Sequence, residues 1–366
     1  MNICYYTMEQ LPAHIAALPF SFPAVLISEG GAGRCGLTGY LSERHKRGDL
    51  FWFSEIDPNP THNTLYRARK ALCSHPINAI IAIGGGSAMD LAKAVSAFHN
   101  MPMPDAPGEL IRAIVDKTYL DNEKNSLPVV AVPSTAGTGS EVTTWATVWD
   151  MTDGAKYSVD APWLKPAQAW IVPRLISSVP QRLALSVGLD AVCHAAEAYW
   201  AKASNPIAKA LAIRALQIIS KSLKPYLSNP QDIKLCENMC TGSLVSGLAF
   251  SSTRTTACHS ISYPLTYMFG LEHGFAAAVT LARIAGMNSS QCDLNEISEV
   301  FSPYGGIQGW IEYVCEGVAD LRLRAFGIEK GSIKDIAAKA LSAGRADNNP
   351  VELTFGAVEE ILLSVY

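Results

Sequence analysis

The sequence predicts an α/β N-terminal domain built on a parallel sheet, residues 1–176, followed by an all-α domain, residues 177–366. Three observations predict it. Up to about residue 175, short apolar runs at 24–28, 50–53, 79–83, 129–132 and 169–172 alternate with helical or loop segments, the pattern of a parallel sheet covered by helices. After Pro180 the pattern turns almost entirely helical, with long Ala/Leu/Ile-rich stretches such as 206–227. A chain of 366 residues also exceeds what one core usually organises. Nothing resembles a low-complexity tether, so the boundary is a change of architecture.

Composition narrows the class. Hydrophobic content of 49% with 17% charge indicates a large buried interior. A net charge of −4 without a basic cluster argues against a nucleic-acid surface. No apolar run reaches membrane-spanning length and no secretory leader is evident, so a cytoplasmic enzyme acting on a small molecule is expected. Nine cysteines, an odd number without a CxxC pair, suit reduced thiols. Cys236 and Cys240 could meet on a helix in a structural role.

The run 79–83 reads as a buried strand, Gly84–Gly86 as a tight turn and 88–98 as an amphipathic helix. Such a turn delivers backbone amides at a helix N-terminus, where glycines let a phosphate approach. It is neither GxGxxG nor a Walker loop. A second strand, 129–132, runs into PSTAGTGSEVT, a loop of small residues that can offer hydroxyls and amides to another part of a phosphorylated cofactor.

In GLDAVCHAAEAYW, Asp190 and His194 are four apart and share one helix face, so both can reach one cation. His259 and His273, from later segments, would complete a shell of one carboxylate and three imidazoles. That shell leaves a divalent ion with a net charge near +1, suited to a Lewis acid. Cys193 and Cys258 each adjoin a candidate ligand but point about 100° away from it on a helix.

The GGGS turn, the PSTAGTGSEVT loop, the GLDAVCHAAEAYW helix and the two later histidines, in this order and spacing, resemble the iron-containing alcohol dehydrogenases, group III. The resemblance covers nearly the whole chain, to the terminal DNNPVELT segment. It implies a dehydroquinate synthase-like architecture, a metal in the cleft between a dinucleotide-binding domain and a helical domain, and nicotinamide-dependent interconversion of an alcohol and an aldehyde or ketone. Fe²⁺ is the implied metal, although Zn²⁺ would bind these ligand types at least as well. Glu29, Asn59, Gly84, Gly85, Gly86, Ser87, Thr135 and Thr138 match the family's cofactor contacts. Glu29, placed after what reads as the first strand, would accept hydrogen bonds from ribose hydroxyls and repel a 2′-phosphate, favouring NADH over NADPH. Lys156 matches the lysine near the nicotinamide ribose, or else is an exposed residue of the DGAKYS turn. A homo-oligomer is expected. Alternatives are a dehydrogenase of another small alcohol or aldehyde, and a lyase of the dehydroquinate synthase kind.

Two departures bear on function. Tyr263 stands where many members carry a histidine assigned to proton relay; a phenol can donate a proton there but is a poor base, and it can equally serve as a pocket wall. Arg254 and Thr256 stand where relatives often have glycine or small apolar residues, just before His259. A guanidinium near a dry cleft calls for a compensating anion: a substrate carboxylate, phosphate or phosphonate, or the carboxylate of Glu197. Thr256 would add a hydroxyl to such a substrate and Trp145 an apolar wall. The TRTTACHSISYPLT run, with TTWATVWD and GRADNNP, resembles the branch of the family associated with phosphonate metabolism, whose members reduce phosphonoacetaldehyde to 2-hydroxyethylphosphonate. An anionic aldehyde is therefore the expected substrate.

Overall fold

The computed structural model describes residues 1–151, 154–341 and 345–366, so Asp153 of the DGAKYS turn and Gly344 of GRADNNP lie outside it. Eight strands are present among the described residues: β1 Asn2–Tyr5, β2 Pro23–Leu26, β3 Phe51–Phe53, β4 Ala79–Gly84, β5 Val129–Pro133, β6 Trp145–Asp150, β7 Ala155–Asp160 and β8 Gln168–Ile171. Six form a parallel sheet in the order β1-β8-β5-β4-β2-β3. Successive residues of the central strands supply cores on opposite faces. Ile80, Ala82, Val129 and Ala131 pack on one side. Ile81, Ile83, Val130 and Val132 pack on the other, which is why these strands read as unbroken apolar runs.

Three sequence expectations need correction. The first strand is β1, not 24–28: NICY is a mostly exposed edge strand paired with β8 alone, so it lacks an apolar run. The antiparallel hairpin β6–β7 was not expected, and it places Lys156 on a strand opposite Trp149 rather than in a turn. The helix after β4 begins at Gly86, so Gly86 and Ser87 form its first turn. It is buried almost all round rather than amphipathic, down to the Lys93 side chain. The Lys93 ammonium is tolerated because it donates to the carbonyls of Ser140 (2.9 Å) and Trp145 (2.6 Å) and to Thr143 Oγ1 (3.0 Å). Burial still lowers its pKa.

The chain divides into two compact units. Met1–Thr135 with Ser140–Ser178 forms one, and Ala136–Gly139 with Val179–Tyr366 the other. The division thus falls after Ser178 rather than 176, and four residues of the small-residue loop belong with the helices. Among the described residues of the second unit there is no strand. Its three longest helices, Gln181–Trp200, Pro206–Ser228 and Ile233–Thr253, pack on one another. Asn205 and Asp232 cap the second and third by accepting from first-turn amides. No described helix is long and apolar enough to cross a membrane, and all nine cysteines are free thiols.

Candidate active site

Asp190 and His194 lie one turn apart on the buried helix Gln181–Trp200. His259 is on the helix Ala257–Phe269, and His273 opens the helix His273–Ala278. That last helix approaches the first backbone to backbone. A Cβ on Gly274 would lie 1.8 Å from the Ser186 carbonyl oxygen, so only glycine lets His273 come this near. The Asp190 Oδ1 atom sits among three imidazoles, 3.2 Å from Nε2 of His259 and 3.9 Å from Nε2 of both His194 and His273. Ligands held at about 2.1 Å in a tetrahedron are about 3.4 Å apart, so these separations fit one ion. Asp190, His259 and His273 each offer a donor atom within 4.8 Å of the other two. His194 reaches the set through the Asp190 oxygen, with its Nδ1 3.4 Å from the Gly137 carbonyl oxygen.

Glu197 adds what the sequence reading did not assign. It stands on the same helix face, at i, i+4, i+7 with Asp190 and His194, and that spacing was the signal available. The reading offered it as a partner for Arg254; it is instead the partner of His259 Nδ1. Fully buried, it also accepts from the amide of Cys258 (2.7 Å) and from Thr256 Oγ1 (2.9 Å). Thr256, expected to face substrate, is itself buried and accepts from Trp200 Nε1 at 2.9 Å. Its single hydroxyl hydrogen is committed to Glu197, so it supports the metal site rather than presenting a donor to substrate. A carboxylate on Nδ1 fixes the imidazole with Nε2 free for a metal.

Electrostatics of the ion-free site follow from this packing. Burial works to raise the Asp190 carboxyl, but the imidazoles of His194, His259 and His273 outweigh it and hold the group well below the usual carboxylate range. Burial also disfavours a cation at His259, yet Glu197 and Asp190 on its two nitrogens hold it up to about 10. His194, buried and stacked on Phe250 and His259, is pushed down to about 4. Asp190, Glu197 and the His259 imidazolium together carry −1, and a divalent ion replacing the His259 proton brings that set to zero. The +1 expected from the four ligands alone therefore omits Glu197. Ion uptake at neutral pH must expel the His259 proton, so about one proton should leave per ion bound. Affinity should rise as pH climbs towards about 10 and fall as it drops. Calorimetric titration of Zn²⁺ in buffers of different ionisation heat measures this, and buffer-independent heats would mean that His259 is already neutral.

Around the ligands, Tyr263 follows His259 by one turn, and its ring lies parallel to the His273 imidazole at 6.2 Å. Arg254 ends the helix Ile233–Thr253, five residues before His259.

In the first unit, the chain goes from β2 to β3 on one side and then to β4 on the other, a topological switch point of the kind where parallel sheets bind ligands beyond their strand ends. Glu29 follows β2 there as the first, exposed residue of the helix Glu29–Arg34. Gly84 ends the neighbouring strand β4, and Gly85 follows it at the N-cap of the next helix, so only Gly85 of the three glycines expected in a turn lies between strand and helix. A Cβ on Gly85 would lie 3.2 Å from Thr135 Oγ1, and that hydroxyl oxygen is buried without a hydrogen-bond partner among the described residues. An orphaned buried hydroxyl beside a side-chain-free helix start fits a phosphorylated cofactor. Asn59, at φ 53°, donates its amide to Ser87 Oγ (3.1 Å). Lys156 lies over the Trp149 ring. Trp145 begins β6, whereas Thr138 belongs to the four-residue piece that folds with the second unit.

Residues 5–173 match the iron-containing alcohol dehydrogenase family, and residues 184–366 match the C-terminal part of the Fe-containing alcohol dehydrogenase family. The chain belongs to the iron-containing alcohol dehydrogenases. Long-chain-alcohol dehydrogenase 1 of Geobacillus thermodenitrificans is 30% identical over 309 residues, 80% of this chain and 76% of that protein. The phosphonoacetaldehyde reductase of Streptomyces viridochromogenes is 37% identical over 209 residues, 57% of this chain and 52% of its own length. The crystal structure of sulfoacetaldehyde reductase from Bifidobacterium kashiwanohense in complex with NAD⁺ shares the fold, with a TM-score of 0.82 at 24% identity over 100% of this chain and 96% of that one. As an iron-containing alcohol dehydrogenase, the chain is an aldehyde/alcohol oxidoreductase whose cofactors are a metal ion and a nicotinamide dinucleotide, and the lyase alternative is set aside.

Proposed function

We propose that this enzyme uses NADH to reduce a short aldehyde bearing an anionic group, phosphonoacetaldehyde to 2-hydroxyethylphosphonate, on an Fe²⁺ site made by Asp190, His194, His259 and His273. The observation that carries the substrate assignment is Arg254, a guanidinium five residues ahead of a metal ligand, on the segment that Thr256 and Glu197 tie to that ligand. The 37% identity to a phosphonoacetaldehyde reductase supports it.

When bound, the ion supplies a Lewis acid for the carbonyl oxygen and the nicotinamide supplies the hydride. Glu197 keeps the His259 Nδ1 proton, so that Nε2 presents a lone pair. Arg254 takes the phosphonate and orients the carbonyl carbon for attack. Tyr263 Oη, or a water beside it, delivers the proton that the product oxygen acquires as hydride reaches carbon. Trp145 helps to exclude water, and Asn59, the Gly84–Ser87 turn, Thr135, Thr138 and Lys156 hold the dinucleotide.

Steady-state oxidation of NADH with phosphonoacetaldehyde, its sulfonate analogue and uncharged propanal tests the reading. The expected order of kcat/KM follows negative charge, phosphonate first. Equal or better turnover of propanal would overturn the anionic substrate and leave a dehydrogenase of another small aldehyde. Glu29 should repel a 2′-phosphate, so NADH should be preferred and Glu29→Ser should relax that preference by about tenfold or less, the weight of one exposed charge contact. A wild-type enzyme with higher kcat/KM for NADPH would remove Glu29 from the ribose site.

A further inference from the structure

Arg254 has φ 66° and ψ −179°. That corner of backbone space is essentially reserved for glycine, because a Cβ there collides with the flanking peptide groups. The other described non-glycine residues with positive φ are less unusual. Asn59 and Asn100 are asparagines, which tolerate such conformations, and Lys117 occupies the ordinary left-handed region at ψ 31°. An arginine in the glycine corner persists only where its surroundings over-determine the backbone.

The surroundings do so through Asn348. Its Nδ2 donates to the carbonyl oxygens of Thr253 (2.8 Å) and Thr255 (3.1 Å), the two residues that flank Arg254. Asn348 is itself anchored: its carbonyl accepts from the Lys202 amide (2.9 Å) and its Oδ1 from the Ala203 amide (3.2 Å). Next to it, Asn349 and Asn288 exchange buried amide hydrogen bonds of 3.0 and 2.8 Å. Thr253 Oγ1 donates to the Arg254 carbonyl (3.0 Å), and the Arg254 amide donates to the Phe250 carbonyl (2.8 Å). Two residues after Arg254, Thr256 is fixed by Glu197 and Trp200. Glycine would occupy this position without strain and without a side chain, so the arginine is kept at a cost in stability.

We infer that Asn348 is a positioning residue for substrate specificity: it clamps the backbone on both sides of Arg254 and so fixes where the guanidinium meets the substrate's anionic group. The inference rests on the proposed reading of Arg254 as the anion receptor.

Two measurements test it. Arg254→Gly should unfold at a higher temperature than Arg254→Ala, by about 2 to 4 °C, because alanine keeps the strain and glycine relieves it. At an ordinary position the order is the reverse, and finding that reverse order would overturn the inference without any variant at Asn348. In the second, Asn348→Asp keeps the oxygen that accepts from Ala203 but replaces the donor facing the two carbonyls. The ratio of kcat/KM for phosphonoacetaldehyde over propanal should then fall at least about tenfold while metal content stays at the wild-type level. Asn348→Ser, too short to bridge both carbonyls, should lower the same ratio and serves if the aspartate variant does not fold. An unchanged ratio in a folded variant overturns the clamp when Arg254→Ala has itself lowered that ratio. If Arg254→Ala instead lowers both aldehydes alike, it is the receptor reading that fails.

Discussion

His259→Ala should purify as a folded protein that binds NADH but holds little metal, with kcat/KM reduced by more than about 100-fold, the upper range for losing an outer-shell partner alone. The substitution removes the only imidazole among the described residues that is bridged by two buried carboxylates, Glu197 on one nitrogen and Asp190 on the other. It therefore leaves the −1 of the ion-free site as −2, with neither proton nor ligand between the two groups. Metal analysis with NADH titration separates this outcome from general misfolding, since the residues proposed to hold the dinucleotide lie mostly in the other compact unit. Wild-type turnover by a metal-free His259→Ala protein would rule out the metal-assisted mechanism.

Arg254→Ala should lower kcat/KM for phosphonoacetaldehyde tenfold to a hundredfold relative to propanal. One charge-assisted hydrogen-bond set contributes roughly 1.5 to 3 kcal/mol, and about 1.4 kcal/mol is a factor of ten. Because the phosphonate is remote from the reacting carbon, part of the loss should fall on kcat through lost orientation, not on KM alone. Parallel steady-state kinetics of both aldehydes on both proteins give the answer, and equal losses would make Arg254 a structural residue.

What the sequence displayed depended on how each feature is encoded. Strands β4 and β5 were legible because both their faces are buried, giving unbroken runs of Ile, Val and Ala. Strand β1 was not, since an edge strand with exposed side chains carries no such run. Nor was the β6–β7 pair: Trp145 reads as a pocket wall and TTWATVWD as a motif of one family branch, and neither reading makes the segment a strand. Asp190 and His194 announced themselves by helical spacing, and Glu197 carried the same signal two turns along. Arg254 stood out as a charge where the family resemblance leads one to expect a small residue, but its backbone conformation did not. The Asn348 clamp reaches main-chain carbonyls across 95 residues of sequence, and carbonyls have no letter in a sequence.

The short piece Ala136–Gly139 makes the two units topologically inseparable. The chain leaves the first unit after Thr135, lends four residues to the helical one, returns at Ser140 and departs again after Ser178. Gly137, within that piece, supplies the carbonyl beside His194. A gene cut at codon 178 would therefore encode a helical fragment lacking part of its own histidine support. The helical half made on its own would regain that carbonyl only if the tetrapeptide were supplied with it.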